Sequence, residues 1–237
     1  PADAGGTPAV QTVQMTWDLI IFDCDGVLVD SEPLVNRAHA ETLAACGYQI
    51  AVDALLERFC GISDADMLAT IAREWGRPLP AAYAADVAAR IARDYRVALK
   101  PIPGVAEALA RLAFPVCVAS SSVPAQLRLG LEVAGLIGHF DSHLFSAAMV
   151  ARGKPAPDLF LYAAERMGAA PHRCLVVEDS PAGIAAARAA GMTAFGFCGG
   201  SHCRPGHGER LLAGGAARVI ADMRDLPAAV AETAPDG

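Results

Sequence analysis

Three aspartates crowd into a short stretch that follows an apolar run in this 237-residue chain. The stretch reads DLIIFDCDGVLVDSE, and it places Asp23, Asp25 and Asp30 directly after the run LIIF. An apolar run of this length is typical of a buried strand. Because neighbouring carboxylates repel one another, some ligand or reaction must make their proximity useful. Carboxylate oxygens are ligands that Mg²⁺ prefers, and a carboxylate can also act as a nucleophile.

The spacing of Asp23 and Asp25 suits covalent phosphoryl transfer. In an extended chain, residues i and i+2 point to the same side, so both carboxylates can face one substrate. One of them can attack phosphorus and form an aspartyl-phosphate. The other can protonate the leaving oxygen and then deprotonate the incoming water.

Further polar groups follow the later apolar runs or precede a helix. The four groups are Asp23-Cys24-Asp25-Gly26, Ala119-Ser120-Ser121-Ser122, Gly153-Lys154-Pro155-Ala156-Pro157-Asp158 and Val177-Glu178-Asp179-Ser180. In parallel α/β sheets, ligands bind at the carboxyl ends of the strands. We therefore expect these four groups, which are far apart in sequence, to meet at one edge of a sheet.

The charges of these groups predict a metal site. Asp23, Glu178 and Asp179 together carry a nominal charge of about −3, with Asp25 beside them. Mg²⁺ and Lys154 would supply about +3, so the site would be nearly balanced once the ion is bound. We therefore expect Mg²⁺ as the cofactor.

A nearly neutral site of this kind could accept a phosphate group, whose oxygens would complete the metal shell. The hydroxyl of Ser120 can donate a hydrogen bond to the phosphate. The backbone N–H groups near Gly26 and Ser121 can surround the anion, as backbone N–H groups do in many phosphate sites.

The elements that must position these residues alternate along the chain. The predicted strands are Trp17–Asp23, Phe114–Ser120, His143–Ser146, Cys174–Asp179, Thr193–Phe197 and Arg218–Ala221. Ten to fifteen residues of helical periodicity separate most of them. This rhythm predicts the α/β class: a doubly wound parallel sheet, Rossmann-like, with helices on both faces.

One interval interrupts the rhythm and contains only helical patterns, over 32–45, 52–60, 64–75 and 81–98. Pro33 suits the first turn of a helix, and two acids suit the first turn of the third segment. We predict an inserted all-helical cap domain. The predicted boundaries are a flexible tail over 1–16, an α/β core over 17–31 and 101–232, and the cap over 32–100.

Composition excludes several classes of partner. The net charge is −7 and no Lys/Arg-rich run occurs, so neither nucleic acid nor an anionic membrane is expected as a partner. No apolar run reaches the roughly 20 residues of a membrane span. The seven cysteines lack zinc-site spacing and are expected as free thiols in a reducing compartment, so we expect a cytoplasmic protein. We expect a monomer, although no sequence feature decides the oligomeric state.

The four motifs DCDGVLVDSE, VASSS, GKPAPD and VVEDSPAGI resemble those of the haloacid dehalogenase superfamily. The resemblance extends from residue 18 to about residue 225. The helical insert resembles the α-helical cap of the subgroup that contains β-phosphoglucomutase and small-sugar phosphatases. Within that subgroup, FDCDGVLVDSE and GFCGGSHCRPGH resemble the phosphatase of a phosphorylated sugar acid.

The resemblance implies roles for individual residues. Asp23 would be the nucleophile and Asp25 the general acid and base. Ser120 and Lys154 would bind the phosphoryl group. The ligands of Mg²⁺ would be Asp23, the backbone carbonyl of Asp25, and Asp179, with Glu178 in or beside the metal shell.

Two departures from the mutase pattern favour hydrolysis. Val35 stands where the mutase has a histidine at the cap entry, and Asp64 stands where it has an arginine that holds a second phosphate. The presence of Asp25 argues against a dehalogenase. We predict a phosphatase of a small phosphorylated metabolite, a sugar or sugar-acid phosphate. The alternatives are a phosphomutase and a receiver-like or non-catalytic phosphate-binding protein.

Other conspicuous residues have structural interpretations. We expect His39 to be a partly buried packing residue and Cys24 to fill the core. We expect the segment with His202, Cys203 and His207 to be a mobile surface loop, with contact to the substrate as the alternative.

Overall fold

The computed structural model describes residues 17–59, 64–140 and 142–233. The strands in these ranges are β1 Leu19–Phe22, β2 Val116–Ser120, β3 Leu144–Ser146, β4 Cys174–Glu178, β5 Thr193–Phe197 and β6 Arg218–Ile220. The α-helices in the same ranges are α1 Glu32–Ala45, α2 Val52–Phe59, α3 Asp64–Trp75, α4 Tyr83–Ala98, α5 Val105–Arg111, α6 Pro124–Val133, α7 Asp158–Met167, α8 Pro181–Ala189, α9 His207–Ala213 and α10 Leu226–Glu232. None of these helices is both long and apolar enough to cross a membrane.

The six strands form one parallel sheet in the order β3-β2-β1-β4-β5-β6. The chain winds outward in one direction from β1 to β3 and in the other from β4 to β6. The order therefore reverses between β1 and β4, which pair from Leu19 with Cys174 to Phe22 with Val177. Such a switch point leaves a crevice at the carboxyl ends of the two strands, where ligands bind in doubly wound folds.

Alternate residues of the buried strands face opposite sides of the sheet. Phe22 and Val177 belong to one apolar cluster, whereas Ile21 and Val176 belong to the other. Helices α7 and α8 cover the second face, for example through Phe160. Because both faces are covered, the strands are apolar at nearly every position. The predicted doubly wound parallel sheet is confirmed.

The predicted strands lie at the right places, and their ends are shorter in the structure. Strand β1 begins at Leu19 rather than at Trp17, and β2 begins at Val116 rather than at Phe114. Ladder pairing ends at Glu178 in β4 and at Ile220 in β6, one residue before the predicted ends. Strand β3 likewise begins one residue late, at Leu144. An apolar pattern marks burial, whereas a strand requires a partner for its backbone groups.

The interval between β1 and α5 contains the all-helical cap, as predicted. Helices α1 and α3 have the predicted bounds, and α2 is described to Phe59. Helix α4 begins at Tyr83, two residues later than predicted, because the N–H of Tyr83 bonds the carbonyl of Pro80 in a turn at 2.9 Å. The apolar cluster on the Phe22 face of the sheet continues into the cap through Leu55 and Ile91.

The two chain segments that connect cap and core pair with each other. Val29 and Pro101 form an antiparallel bridge. The N–H of Asp30 bonds the carbonyl of Lys100 at 2.9 Å, and the N–H of Ile102 bonds the carbonyl of Leu28, also at 2.9 Å. The chain thus enters and leaves the cap at one place. The predicted domain boundaries stay predictions, and the predicted tail over 1–16 lies outside the described residues.

Candidate active site

Three buried acids meet where β1 and β4 end. Ligand oxygens of Asp23, Glu178 and Asp179 all lie within 4.8 Å of one another. Asp23 follows β1 directly, and its N–H bonds the carbonyl of Val177 in β4 at 2.9 Å. The switch point of the sheet therefore brings Asp23 together with Glu178 and Asp179, which lie about 155 residues further along the chain.

One lysine partly neutralises this cluster. The Nζ of Lys154 donates to Oδ1 of Asp23 at 2.6 Å and to Oε1 of Glu178 at 2.7 Å. Its side chain is 5% exposed. Burial alone would lower the pKa of Lys154, but the two carboxylates raise it above its usual range, so the lysine stays charged.

The cluster remains short of positive charge. Burial raises the pKa of Asp23 well above its usual range, and repulsion from Glu178 and Asp179 adds to this, although Lys154 opposes it. The pKa of Asp179 is raised mainly by burial and then by Glu178. Buried acids in such numbers are costly unless they are paired or bind a metal. The three carboxylates could therefore hold a metal ion.

Glu178 is tied to the protein through both of its oxygens. Its Oε1 bonds Lys154, and its Oε2 accepts from the N–H of Ser180 at 2.7 Å and from the Ser180 hydroxyl at 2.9 Å. The same hydroxyl accepts from the N–H of Gly183 and so caps the start of α8. Glu178 thereby fixes the position of Lys154 relative to Asp23.

Four hydroxyl groups surround the carboxylate of Asp25. Ser31 and Tyr95 donate to Oδ1 at 2.6 and 3.2 Å. Ser120 and Ser122 approach Oδ2 at 3.3 and 2.7 Å. Such a carboxylate has a fixed orientation, because every donor defines one direction of approach. Three of these donors lie in the core or its linker, and Tyr95 lies on cap helix α4.

The predicted phosphate-binding residues differ in how they are placed relative to the cavity. Ser121 and Lys154 line the cavity. Ser120 is fully buried, and its hydroxyl accepts from the N–H of Ser122 at 3.0 Å besides approaching Asp25. Gly26 has a φ of 78°, and a Cβ at this position would collide with the carboxylate of Asp179. Only glycine fits there, because the backbone must pass the acidic cluster closely.

The prediction of a mobile surface loop around His202, Cys203 and His207 is wrong. His202 and His207 are both buried, at 8% and 3% exposure, and His207 is the first residue of α9. The Nε2 of His202 lies 3.0 Å from Oδ2 of Asp179. The Nε2–H of His207 donates to the backbone carbonyl of Asp179 at 2.6 Å. The two histidines are therefore buried against Asp179 and contact it from two sides.

The tautomer of His207 follows from its two contacts. Its Nε2 carries the proton that bonds Asp179, and its Nδ1 accepts from Arg210 at 3.0 Å. Burial lowers the pKa of His207, which favours this neutral form. Burial also lowers the pKa of His202. The sequence carried one signal for both histidines, since they follow β5 and thus lie at the carboxyl edge of the sheet.

A cavity of about 430 Å³ connects the acidic cluster with the cap. This volume lies in the range of small-molecule sites. The cap contributes both polar and apolar residues to its wall: Glu32, Val35, Asn36, His39, Leu56, Phe59, Asp64 and Met67. His39 is therefore more than the packing residue that the sequence suggests, whereas Cys24 is buried in the core as predicted.

Several residues of the site received no individual role from the sequence. Ser31, Glu32 and Ser122 stand within the four motifs, and Tyr95 stands in none of them. Glu32 is half-buried at the start of α1, and burial together with the nearby Asp179 raises its pKa to about 8. The proximity of Tyr95 to the acids depends on how cap helix α4 packs on the core, which no local pattern encodes.

The chain belongs to the family of haloacid dehalogenase-like hydrolases, whose pattern it matches over residues 17–191. It is 31% identical to 6-phosphogluconate phosphatase of Escherichia coli over 79% of this chain and 86% of that protein. It is 34% identical to hexitol phosphatase B of E. coli, over 73% of this chain and 79% of that protein.

A solved structure agrees with this assignment. A conserved haloacid dehalogenase-like protein of Agrobacterium tumefaciens superposes with a TM-score of 0.80 and 42% identity, covering 91% of this chain and 98% of that one. With phosphatases of the same family at this level of similarity, the chain is a phosphoric monoester hydrolase.

Proposed function

We propose that the protein is a Mg²⁺-dependent phosphatase that hydrolyses a small phosphorylated metabolite, a sugar or sugar-acid phosphate, through an aspartyl-phosphate on Asp23. The observation that carries this proposal is the position of Asp23. It lies in the wall of the cavity, bonded to Lys154 and close to the carboxylates of Glu178 and Asp179. The relatives, which act on a sugar-acid phosphate and on hexitol phosphates, support the class of substrate.

In the first step, a carboxylate oxygen of Asp23 attacks phosphorus and the bond from phosphorus to the substrate oxygen breaks. Asp25 transfers a proton to that leaving oxygen, so that a neutral alcohol departs. In the second step, Asp25 accepts a proton from a water molecule whose oxygen attacks the phosphorus of the aspartyl-phosphate. Phosphate leaves and the Asp23 carboxylate is restored.

The surroundings of each acid suit these roles. Asp23 contacts the ammonium group of Lys154. In the proposed reaction, this group binds a phosphoryl oxygen as well as the attacking carboxylate. Four hydroxyl groups bond the carboxylate of Asp25, and their hydrogens can rotate as its charge changes. Ser121 and Gly26 are proposed to offer backbone N–H groups to the phosphoryl group, and Ser120 to act with Lys154 in holding it.

The donor set fits Mg²⁺, since the three clustered carboxylates are hard oxygen ligands and outnumber the one lysine. Asp23, Asp179 and the backbone carbonyl of Asp25 would hold the ion, with Glu178 in or beside the shell. When bound, Mg²⁺ neutralises charge on the phosphoryl oxygens and on the acids. The remaining tasks of orientation and proton transfer fall to the residues named above.

Two residues of the cavity wall favour hydrolysis over mutase chemistry. A mutase must hold a bisphosphate while it reorients, which requires attraction for the second phosphate. Val35 lines the cavity without a polar group, and Asp64 adds a negative charge to it. A receiver-like protein is disfavoured by the cap, and a non-catalytic binding protein by the retained pair Asp23 and Asp25.

The proposal is tested by measuring phosphate release from a panel of sugar, hexitol and sugar-acid phosphates with Mg²⁺. We expect turnover with at least one of them. Asp23→Asn should abolish it while the circular dichroism spectrum stays unchanged. Phosphate release by the folded Asp23→Asn protein would contradict the role of Asp23 as the nucleophile. Isomerisation of glucose 1-phosphate with little free phosphate would favour the mutase.

A further inference from the structure

Two of the four polar residues that the described part of the cap contributes to the cavity carry a carboxyl group. Glu32 at the start of α1 and Asp64 at the start of α3 both line the cavity, with Asn36 and His39 between them on α1. The other described cap residues of the wall are apolar. The part of a substrate that extends beyond its phosphate therefore meets this acidic wall.

No cation in the described wall is available for a second anionic group. Lys154 is the only lysine or arginine among the described residues that line the cavity, and it is already bonded to Asp23 and Glu178. The neighbouring residues 60–63, which are not described, read CGIS and carry no positive side chain. An anion at the far end of the substrate would face the carboxylate of Asp64 without a counter-charge, and at pH values above the raised pKa of Glu32 it would face that carboxylate as well.

The remaining hydrogen-bonding capacity of Asn36 and of the two acids, once these are ionised, is for accepting protons. Both amide hydrogens of Asn36 are used within α1, since Nδ2 donates to the carbonyl of Glu32 at 2.9 Å and to its Oε2 at 3.1 Å. This leaves the amide oxygen of Asn36 together with carboxylate oxygens of Glu32 and Asp64. Hydroxyl groups donate to such oxygens, whereas fully ionised carboxylate and phosphate groups cannot.

A buried imidazole nitrogen adds a second, independent indication of a ligand. His39 has 4% side-chain exposure, and its Nδ1 lies 2.9 Å from the hydroxyl of Tyr83. Its Nε2 has no hydrogen-bond partner among the described residues and lies 3.6 Å from Oδ2 of Asp64. Buried polar atoms are seldom left unpaired. Because the Asp64 side chain is 69% exposed, it can move to admit a hydroxyl that bonds both groups.

We propose that the cap selects phosphate monoesters of neutral, hydroxyl-rich alcohols against those that carry a second anionic group, and that Glu32, His39 and Asp64 are the residues that make this selection. This inference rests on the proposed phosphatase function. It separates the chain from the sugar-acid specificity named for its E. coli relative.

Glucitol 6-phosphate and 6-phosphogluconate provide the matched test, because they share one carbon skeleton and differ at the end remote from the phosphate. One ends in a hydroxymethyl group and the other in a carboxylate. We expect kcat/KM to be about tenfold or more higher for glucitol 6-phosphate at low salt and about pH 9, where Glu32 and Asp64 are both ionised, the size expected for repulsion between nearby unit charges. The ratio should fall as ionic strength rises, since salt screens the repulsion.

Two variants test whether the acids of the cap cause this difference in kcat/KM between the two substrates. The double variant Glu32→Gln/Asp64→Asn should reduce the ratio to about threefold or less, because the charges are removed and the shapes are kept. Glu57→Gln is the matched control. Glu57 is an exposed cap carboxylate that does not line the cavity, so its replacement should leave the ratio unchanged.

The outcomes distinguish this inference from the function on which it rests. Equal or faster hydrolysis of 6-phosphogluconate would overturn the selection while the phosphatase activity stands. A large ratio that the double variant does not change would overturn the role of Glu32 and Asp64. No phosphate release from either compound or from 4-nitrophenyl phosphate would overturn the phosphatase function and this inference with it.

Discussion

The hydroxyl of Tyr95, on the last cap helix, lies 3.2 Å from Oδ1 of Asp25, which follows the first strand of the core. Tyr95 is 1% exposed, and its hydroxyl also accepts from Nε2 of Gln126 at 3.3 Å. The same amide nitrogen lies 3.2 Å from the hydroxyl of Ser122, which bonds the other oxygen of Asp25. The four side chains thus close a ring of hydrogen bonds that joins the cap to the proposed general acid.

Removing the Tyr95 hydroxyl should impair proton transfer more than folding. We expect Tyr95→Phe to lower kcat on sugar phosphates about tenfold, because a hydrogen bond to a charged group contributes about 1.5–3 kcal/mol. The loss should be smaller with 4-nitrophenyl phosphate, whose leaving group needs little protonation. Tyr48→Phe, which removes an exposed cap hydroxyl bonded to Glu74, is the control. Equal losses on both substrates would contradict the positioning role.

Replacing His202 should weaken the binding of the metal. His202 contacts the carboxylate of Asp179, and loss of a group that orients a ligand commonly costs 10–100-fold in metal affinity. We expect His202→Ala to raise the Mg²⁺ concentration for half-maximal activity about tenfold or more. Saturating Mg²⁺ should restore most of kcat. His172→Ala removes an exposed histidine and should change neither quantity. A variant with unchanged Mg²⁺ dependence would show that His202 has no part in orienting Asp179.

The metal-free protein should become less stable as the pH rises from about 4 to 8. The pKa values of Asp23 and Asp179 are raised well above their usual range, and that of Glu32 is raised to about 8. A folded state with raised carboxyl pKa values binds more protons than the unfolded state in this range. Stability therefore falls as these protons are released with rising pH.

Thermal unfolding with and without Mg²⁺ measures this effect. At 100 times its Kd, a ligand adds about 2.7 kcal/mol, which for a chain of this size corresponds to about 5–10 °C in Tm. We expect a shift of this size at pH 8 and a much smaller one at pH 5, where protons occupy the acids. A shift that is equal at both pH values would contradict the coupling between protons and metal.

Two glycines with the same backbone conformation allow a steric test at Asp179. Gly26 and Gly76 have φ values of 78° and 74°, but a Cβ at Gly76 would meet nothing within 4 Å. Gly76→Ala should cost only the left-handed backbone strain, about 1–2 kcal/mol of unfolding free energy. Gly26→Ala should cost several times more and abolish Mg²⁺-dependent activity. Similar unfolding midpoints for the two variants in urea would contradict the close approach of Gly26 to Asp179.

The sheet and the convergence of the acids were predictable for one physical reason. Parallel strands separated by helices must place their carboxyl ends at one edge, so Asp23, Glu178 and Asp179 had to meet if each ended an apolar run. Strand ends were less predictable, since Trp17 and Phe114 are apolar without being paired in the ladder. Burial and backbone pairing are separate properties, and the sequence reports chiefly the first.

Side-chain contacts between separate helices and loops could not be predicted from the sequence. Tyr95 reaches Asp25 only because α4 packs beside α6 on the core, and this packing depends on side-chain shapes along both helices. His202 and His207 were misjudged for a related reason. Their segment is glycine-rich, which suggests an exposed loop, but both histidines are buried through contacts to Asp179 that form only in the folded chain.

The pairing of the two linkers, Asp30 with Lys100 and Leu28 with Ile102, has an evolutionary consequence. A long excursion that leaves and returns through adjacent backbone positions can be exchanged as one genetic module, because its replacement leaves the register of the surrounding strands unchanged. The proposed catalytic acids Asp23 and Asp25 would stay in place during such an exchange, and only the hydrogen bond from Tyr95 to Asp25 would be lost with the cap. New substrate ranges could thus arise by recombination at two nearby points, without rebuilding the chemistry.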